Sequence, residues 1–139
     1  MYLLDTNVIS ESRKGGGGDE GVQRFMRMTD RHHAQRFLSV ITMGELQRGV
    51  RLLRHRNDAR QASLVESWLE QLHIEYAEDI LPIDLAICNV WARMRVPDPH
   101  HPIDKLIAAT ALVHKLVVVT RNVKDFTNVG VEVYNPFLQ

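Results

Sequence analysis

At 139 residues, with 45% apolar and 24% charged residues, the chain is long enough to bury a core as one domain without covalent staples. Its formal net charge of zero supplies no global field of the kind that marks a nucleic-acid binder, and no window holds the roughly 18 apolar residues that a membrane span requires. One cysteine, Cys88, excludes an internal disulfide framework, and Asp5 cuts the first apolar run before a secretory leader can form, so a reducing, cytoplasmic setting is expected.

Tyr2, Leu3 and Leu4 read as a short buried strand. Asp5 ends it, Thr6 and Asn7 supply turn and cap chemistry, and Val8 and Ile9 restart an apolar pattern, so the carboxylate falls at the strand's carboxyl end. Residues Glu11 to Gly18 read as a mobile surface loop, because a glycine run does not hold a helix; without a closing Lys-Ser or Lys-Thr it is no phosphate cradle. A helix follows from Asp19 and Glu20 to about Asp30, with Val22, Phe25 and Met26 on one face. Phe37 to Ile41 reads as a second strand. Thr42 to Glu45 has capping-box spacing, ahead of a helix carrying Leu46, Val50 and Leu53. Arg48, Arg51 and Arg54 share a flank of that helix, a solvated face or an RNA or partner contact. Arginine outnumbers lysine 13 to 4 in the chain, and its planar fork suits bidentate phosphate contacts.

Asn57-Asp58 caps a further helix to about Leu72, with Leu64, Val65, Trp68, Leu69 and Leu72 as its apolar stripe. Ile80 to Ile83 is a third strand, Pro82 marking its end or a sheet edge, and Asp84 caps the helix Leu85 to Met94. Cys88 reads as a small core residue. In the proline-rich loop Arg95 to Pro102, His100 and His101 are adjacent and point different ways, a poor zinc pair, and read as loop histidines. Ile103 to Lys115 is a helix with Asp104 in its first turn and Ala108 and Ala111 on a small-residue face. Val117 to Val119 is a β-branched, buried strand. Thr120-Arg121-Asn122 leads from it into a short helical turn at Val123 to Phe126, and Val131 to Val133 gives a last strand. Strands alternating with helices predict a three-layer α/β/α sandwich with a mostly parallel central sheet.

Asp5 follows strand one, Glu45 and Asp104 open helices, and Asn122 and Asp125 follow the valine strand. Each acid has an ordinary explanation as a cap or as a partner of a helix dipole. Jointly, short crossovers bring them to one edge of the sheet, where carboxylates repel one another and raise at least one pKa. A hard divalent cation relieves that repulsion. Magnesium takes oxygen ligands, polarises phosphoryl oxygens and activates water, which is the equipment of metal-assisted phosphodiester hydrolysis.

LLDTNVIS at the amino terminus, Glu45 in SVITMGELQRGV, Asp104 in PIDKLIAATA, then TRNVKDF and VEVYNPF, together resemble the PIN-domain ribonucleases. Within them the chain is most similar to the VapC/FitB-like toxins of VapBC-type toxin–antitoxin pairs. This resemblance spans essentially the full chain and implies a single PIN domain over residues 1–139. It implies a Mg2+-dependent endoribonuclease, with Mn2+ as a possible substitute, whose ion is bound by Asp5, Glu45 and Asp104, mainly by Asp5 and Asp104. The fourth catalytic position, often aspartate, is Asn122, which puts a second metal in doubt unless Asp125 turns inward. Thr6, Asn7 and Thr120 would orient ligands or water, and Arg121 and Lys124 would meet the RNA backbone. The implied partners are an RNA substrate, a VapB/FitA-like DNA-binding antitoxin that covers a groove where Phe25 and Met26 sit unless they are core, and a second copy in a homodimer. Two alternatives stay open. One is a phosphatase-like hydrolase using Asp5 as nucleophile, although that chemistry usually wants an acid where this chain has Asn7. The other is a non-catalytic RNA- or partner-binding module whose acids only cap helices.

Overall fold

The apolar residues after Met1 form β1 (Tyr2–Leu4), which pairs on one side with β2 (Arg36–Ser39) and on the other with β4 (Val117–Val119) in a computed structural model that describes residues 1–138. With β3 (Ile80–Leu81) beside β2 and β5 (Val133–Tyr134) beside β4, the sheet has the order β3-β2-β1-β4-β5, and every neighbouring pair is parallel. Parallel neighbours need crossovers; among the described residues six helices supply those between β1 and β4, α1 (Thr6–Ser12), α2 (Glu20–Arg31), α3 (Val40–His55), α4 (Ala59–Glu75), α5 (Leu85–Met94) and α6 (Pro102–His114), and a 3-10 turn at Val123–Phe126 lies between β4 and β5.

Strand side chains alternate between faces, so two apolar layers form. Leu4, Leu38 and Val119 face α1 to α4 in a cluster with Val8, Ile9, Val22, Phe25, Leu46, Val50 and Leu69. Leu3 and Val118 face the opposite way, against Ile107, Ala108 and Ala111 of α6 and Phe126. The alanines let α6 lie close to the sheet. The predicted three-layer α/β/α sandwich is the observed architecture, with a sheet that is parallel throughout.

Several local expectations are corrected. The second strand ends at Ser39, whose extended backbone and hydroxyl, accepting from the Ile41 N–H at 3.0 Å, cap α3. Thr42 therefore lies inside the helix, fully buried, and Thr42 to Glu45 is no capping box. Residues 11 and 12 extend α1, and Gly15–Gly17 forms a 3-10 turn rather than an open loop. The Glu11 carboxylate closes this segment by accepting from the Asp19 N–H at 2.9 Å while pairing with Lys14. Helix α4 runs on to Glu75, and Leu64 in its expected stripe is exposed because the helix buries only the face holding Ala62, Leu69 and Leu72. Cys88 is exposed on α5 rather than in the core, since Ile87 takes the inward position. The last strand is Val133–Tyr134, set by pairing with Val118 and Val119. The caps expected from Asp58 and Asp84 are present, each carboxylate accepting a backbone N–H of the first turn.

Candidate active site

The chain leaves β1 for one side of the sheet, through β2 and β3, and returns to place β4 on the other side. The reversal point lies between the carboxyl ends of β1 and β4, where parallel α/β sheets open a crevice. Asp5 and Thr120 are the first residues past those two ends. The Asp5 N–H donates to the Val119 carbonyl at 2.9 Å, so the ladder holds both in register for one more step.

Asp5 is 4% exposed and almost every acceptor position near it is used. Its Oδ1 accepts from the Thr6 N–H at 2.8 Å; its Oδ2 accepts from the Thr120 hydroxyl at 2.8 Å and from the Asn7 amide at 3.3 Å. Burial outweighs these bonds and raises the Asp5 pKa above the usual carboxylate value, with Glu45 adding to the rise. Thr120, fully buried, also accepts from the Asn7 amide at 3.2 Å and from the Asn122 N–H at 3.0 Å. Asn7 Oδ1 in turn accepts from the Arg121 N–H at 3.0 Å. Asp5, Asn7 and Thr120 thus form one polar knot that ties α1 to the segment after β4.

Glu45 reaches the same edge from the second turn of α3, exposed at its carboxylate, where Oε1 accepts from the Thr6 hydroxyl at 2.6 Å. Being past the first turn and outside any capping box, it has no helix-end role there. Asp104 sits in the first turn of α6 but makes no capping bond; the cap position is His101, which offers no side-chain hydrogen bond either. Burial pushes Asp104 up to about 6, reinforced by Asp5 and Asp125 and by Glu45, against the opposing pull of His101. Asp5, Glu45, Asp104 and Asp125 therefore act on one field at one rim.

Asp125 comes from the 3-10 turn Val123–Phe126 and stands near Asp104, whereas Asn122 is exposed and starts that turn without a side-chain cap. Arg121 stacks its guanidinium 3.9 Å over the Phe137 ring, directing it to the carboxyl-terminal segment. Lys124 borders two clefts flanking Asp125. Among the described residues no lysine or arginine pairs with the four acids. Only His101 comes within ion-pair range, 3.8 Å from Asp104 and 3.5 Å from Asp125. Carboxylates with hydroxyl neighbours and no basic partner are a donor set that suits a hard divalent cation.

His101 is the residue that the sequence reading sets aside and the fold brings in. The loop before α6 is pinned by the Arg95 guanidinium on the Pro99 carbonyl at 2.6 Å, the Trp91 indole on the Pro102 carbonyl at 2.9 Å, and buried Lys105 on the Asp98 carbonyl at 2.7 Å. His101 then adopts φ 54 and turns its ring toward Asp104. The available signal was its spacing, three residues before an acid at a helix start. Phe25 belongs to the core, edge-on to Tyr2 at 5.2 Å, while Met26 borders a cleft of about 410 Å³ between α2 and α4.

In comparison with known proteins, residues 2–132 match the PIN domain family. The chain is 34% identical over 144 residues to Toxin FitB of Neisseria gonorrhoeae, with 99% of each chain covered. It is 28% identical over 144 residues to the VapC ribonuclease Y4jK of Sinorhizobium fredii, covering 99% of this chain and 98% of that one. It also superposes on the crystal structure of FitAcB from Neisseria gonorrhoeae with a TM-score of 0.84 at 33% identity, covering 98% of each chain.

Proposed function

The chain belongs to the PIN-domain family, and from that premise we propose that it is a Mg2+-dependent endoribonuclease, the toxin of a type II toxin–antitoxin pair. The observation that carries this reading is that Asp5, Asp125 and Glu45, from separate elements, all act electrostatically on Asp104 at the reversal point of the sheet, where burial first and these acids second raise its pKa to about 6. Relatives named as a toxin and as a ribonuclease support the biological role and the chemistry.

In this reading Asp5, Asp104 and Glu45 hold the ion. When bound, Mg2+ or Mn2+ supplies charge that polarises a phosphodiester oxygen and eases deprotonation of the attacking water. The protein supplies position. Thr120, Asn7 and the Thr6 N–H fix the Asp5 carboxylate before any ion arrives, so little ordering cost remains at binding. The Thr6 hydroxyl holds Glu45 in the same way. Asp104 stays half-buried, which excludes much of the competing water while leaving one side open to an RNA strand. Asn122 provides an uncharged amide at the rim, and Asp125 provides an acid within 4.8 Å of Asp104. Arg121 and Lys124 flank the rim as cations for the RNA backbone.

The covalent aspartyl route is less well supported. The position two residues after Asp5 carries Asn7, whose amide donates to Asp5 and to Thr120, and no second acid is available there to protonate a leaving group. A role limited to capping is opposed by Glu45 and Asp104, neither of which makes a capping bond. The proposed partners are a VapB/FitA-like DNA-binding antitoxin and a second copy of the chain.

Full-length protein incubated with RNA and Mg2+ should cut internal phosphodiester bonds and stop in excess EDTA. Asp5→Asn and Asp104→Asn should each lower the rate by about a hundredfold or more while remaining folded, and expression of either should no longer arrest growth. An Asp104→Asn protein with wild-type cleavage would overturn the assignment.

A further inference from the structure

Between residues 48 and 60 the chain places five of its 13 arginines, Arg48, Arg51, Arg54, Arg56 and Arg60, against one acid, Asp58, in a molecule whose formal net charge is zero. All five are exposed. Arg54 is occupied within the fold by two bonds of 2.9 Å to Glu66 of α4, and Asp58 is occupied as the cap of α4. Among the described residues no carboxylate lies within ion-pair range of the other four arginines. At 3.6 residues per turn, Arg48, Arg51 and His55 fall within about 60° of one another, on the side of α3 away from buried Leu46 and Val50. Glu45 stands at the head of that ridge, three residues before Arg48. Long helical side chains lean toward the helix amino terminus, which directs Arg48 over the turn that carries Glu45. Arg48 does not neutralise that acid, whose carboxylate accepts from the Thr6 hydroxyl instead.

We propose that this ridge of α3 is a backbone-binding track for the RNA strand on one side of the cleavage site, with Arg48 and Arg51 holding phosphates that flank the scissile one. Sheet order gives the direction. Helix α3 follows β2, while Arg121 and Lys124 follow β4, so the two sets of cations lie on either side of Asp5 at the end of β1. A strand whose scissile phosphate meets the acids runs from one set to the other. The surroundings favour a polyanion over a protein partner. Among the described residues from Val40 to Leu64, only those two end positions expose a large apolar side chain, whereas the centre of a protein interface is apolar and poor in charge. Guanidinium forks match phosphate oxygens bidentately, and such contacts fix a strand's register without reading its sequence. The inference deepens the nuclease reading and rests on it for the identity of the strand as RNA.

The test measures binding of a short single-stranded RNA of mixed sequence to the full chain in EDTA, across a salt series. Each phosphate contact to a single strand contributes about 0.7 to the slope of log K against log salt. Arg48→Gln and Arg51→Gln should each flatten the wild-type slope by that amount at unchanged Tm, and the double variant should flatten it by about 1.4. In Mg2+ the double variant should raise KM for cleavage and keep kcat. Lys115→Gln is the control: it removes one exposed charge from the turn between α6 and β4, at the opposite edge of the sheet from the acids, and should leave the slope in place. A wild-type slope near zero, an unchanged slope in the double variant, or an equal loss in Lys115→Gln would overturn the track. So would a double variant with wild-type RNA binding that no longer co-purifies with a co-expressed antitoxin, because the ridge would then be a protein contact. Flattened slopes in a chain that shows no Mg2+-dependent cleavage would support the track and sink the nuclease reading; cleavage by the double variant with wild-type KM and salt slope would do the reverse.

Discussion

Asp104 carries the largest electrostatic strain at the site, and its sign can be followed through to stability. Its pKa rises from 3.8 to about 6 on folding, chiefly through burial and then through Asp5 and Asp125. Between those values the native protein keeps a proton that the unfolded chain has released, so native stability falls as pH rises through that window. Asp5 shifts in the same direction for the same leading reason. In EDTA, urea melts between pH 4 and 7 should show Asp104 withdrawing about 2 kcal/mol across the range. Asp104→Asn should remove that slope, and identical pH profiles for wild type and variant would contradict it. Acids with lowered pKa values, such as Glu11 and Asp98, act oppositely but contribute equally to wild type and variant. The difference between variant and wild type isolates the site.

Helix ends decide which residues reach the rim. Had Thr42 capped α3, Glu45 would occupy the first turn and owe its position to the helix terminus; with Ser39 as cap, Glu45 moves a turn inward and is held by Thr6 instead. At the start of α2, the Asp19 carboxylate accepts from the Gly21, Val22 and Leu138 N–H groups, fastening the helix to the end of the chain. Gly21 is what permits that approach: a Cβ there would run into the Pro136 carbonyl and stand 2.9 Å from the Leu138 nitrogen, both backbone atoms that yield poorly. Gly21→Ala should therefore destabilise the protein by about 1–3 kcal/mol, in contrast to Gly44→Ala, where nothing lies within 4 Å. Chemical denaturation of the pair measures the contrast, and equal midpoints would refute the close-approach argument. Because Phe137 also carries the Arg121 guanidinium, loosening this end should release a cation beside the site.

At the scale of the molecule, an all-parallel sheet points every strand's carboxyl end to one side, and the order β3-β2-β1-β4-β5 opens the crevice beside β1. Gathering four acids there costs stability that an ion should return. Mg2+ at a hundredfold excess over its Kd should add about 2.7 kcal/mol to the free energy of unfolding, read as a rise in Tm that EDTA reverses. Asp104→Asn should abolish the rise, and a wild-type Tm indifferent to Mg2+ would argue that the acids do not share an ion. The cleft bordered by Met26, Trp68 and Tyr76 lies between α2 and α4, the helices facing one side of the sheet.

The sequence by itself determined the layers. Valine at 117 to 119, the apolar run at 2 to 4 and the helical stripes between them leave few arrangements other than helices on both faces of a parallel sheet, because burial and backbone pairing are satisfied locally once those periods are set. It also located Asp5 at a strand end and Asp104 in a first turn, since both positions follow from where an apolar run stops or starts. Tertiary structure alone decided the rest. Ser39 outcompeted Thr42 as a cap because strand pairing with β1 and β3 ended the strand there, and Cys88 turned outward because Ile87 filled the core. His101 entered the site through bonds made by Arg95, Trp91 and Lys105. Which side chains meet depends on contacts between residues remote in the chain, and a local pattern of apolar and polar residues does not encode them.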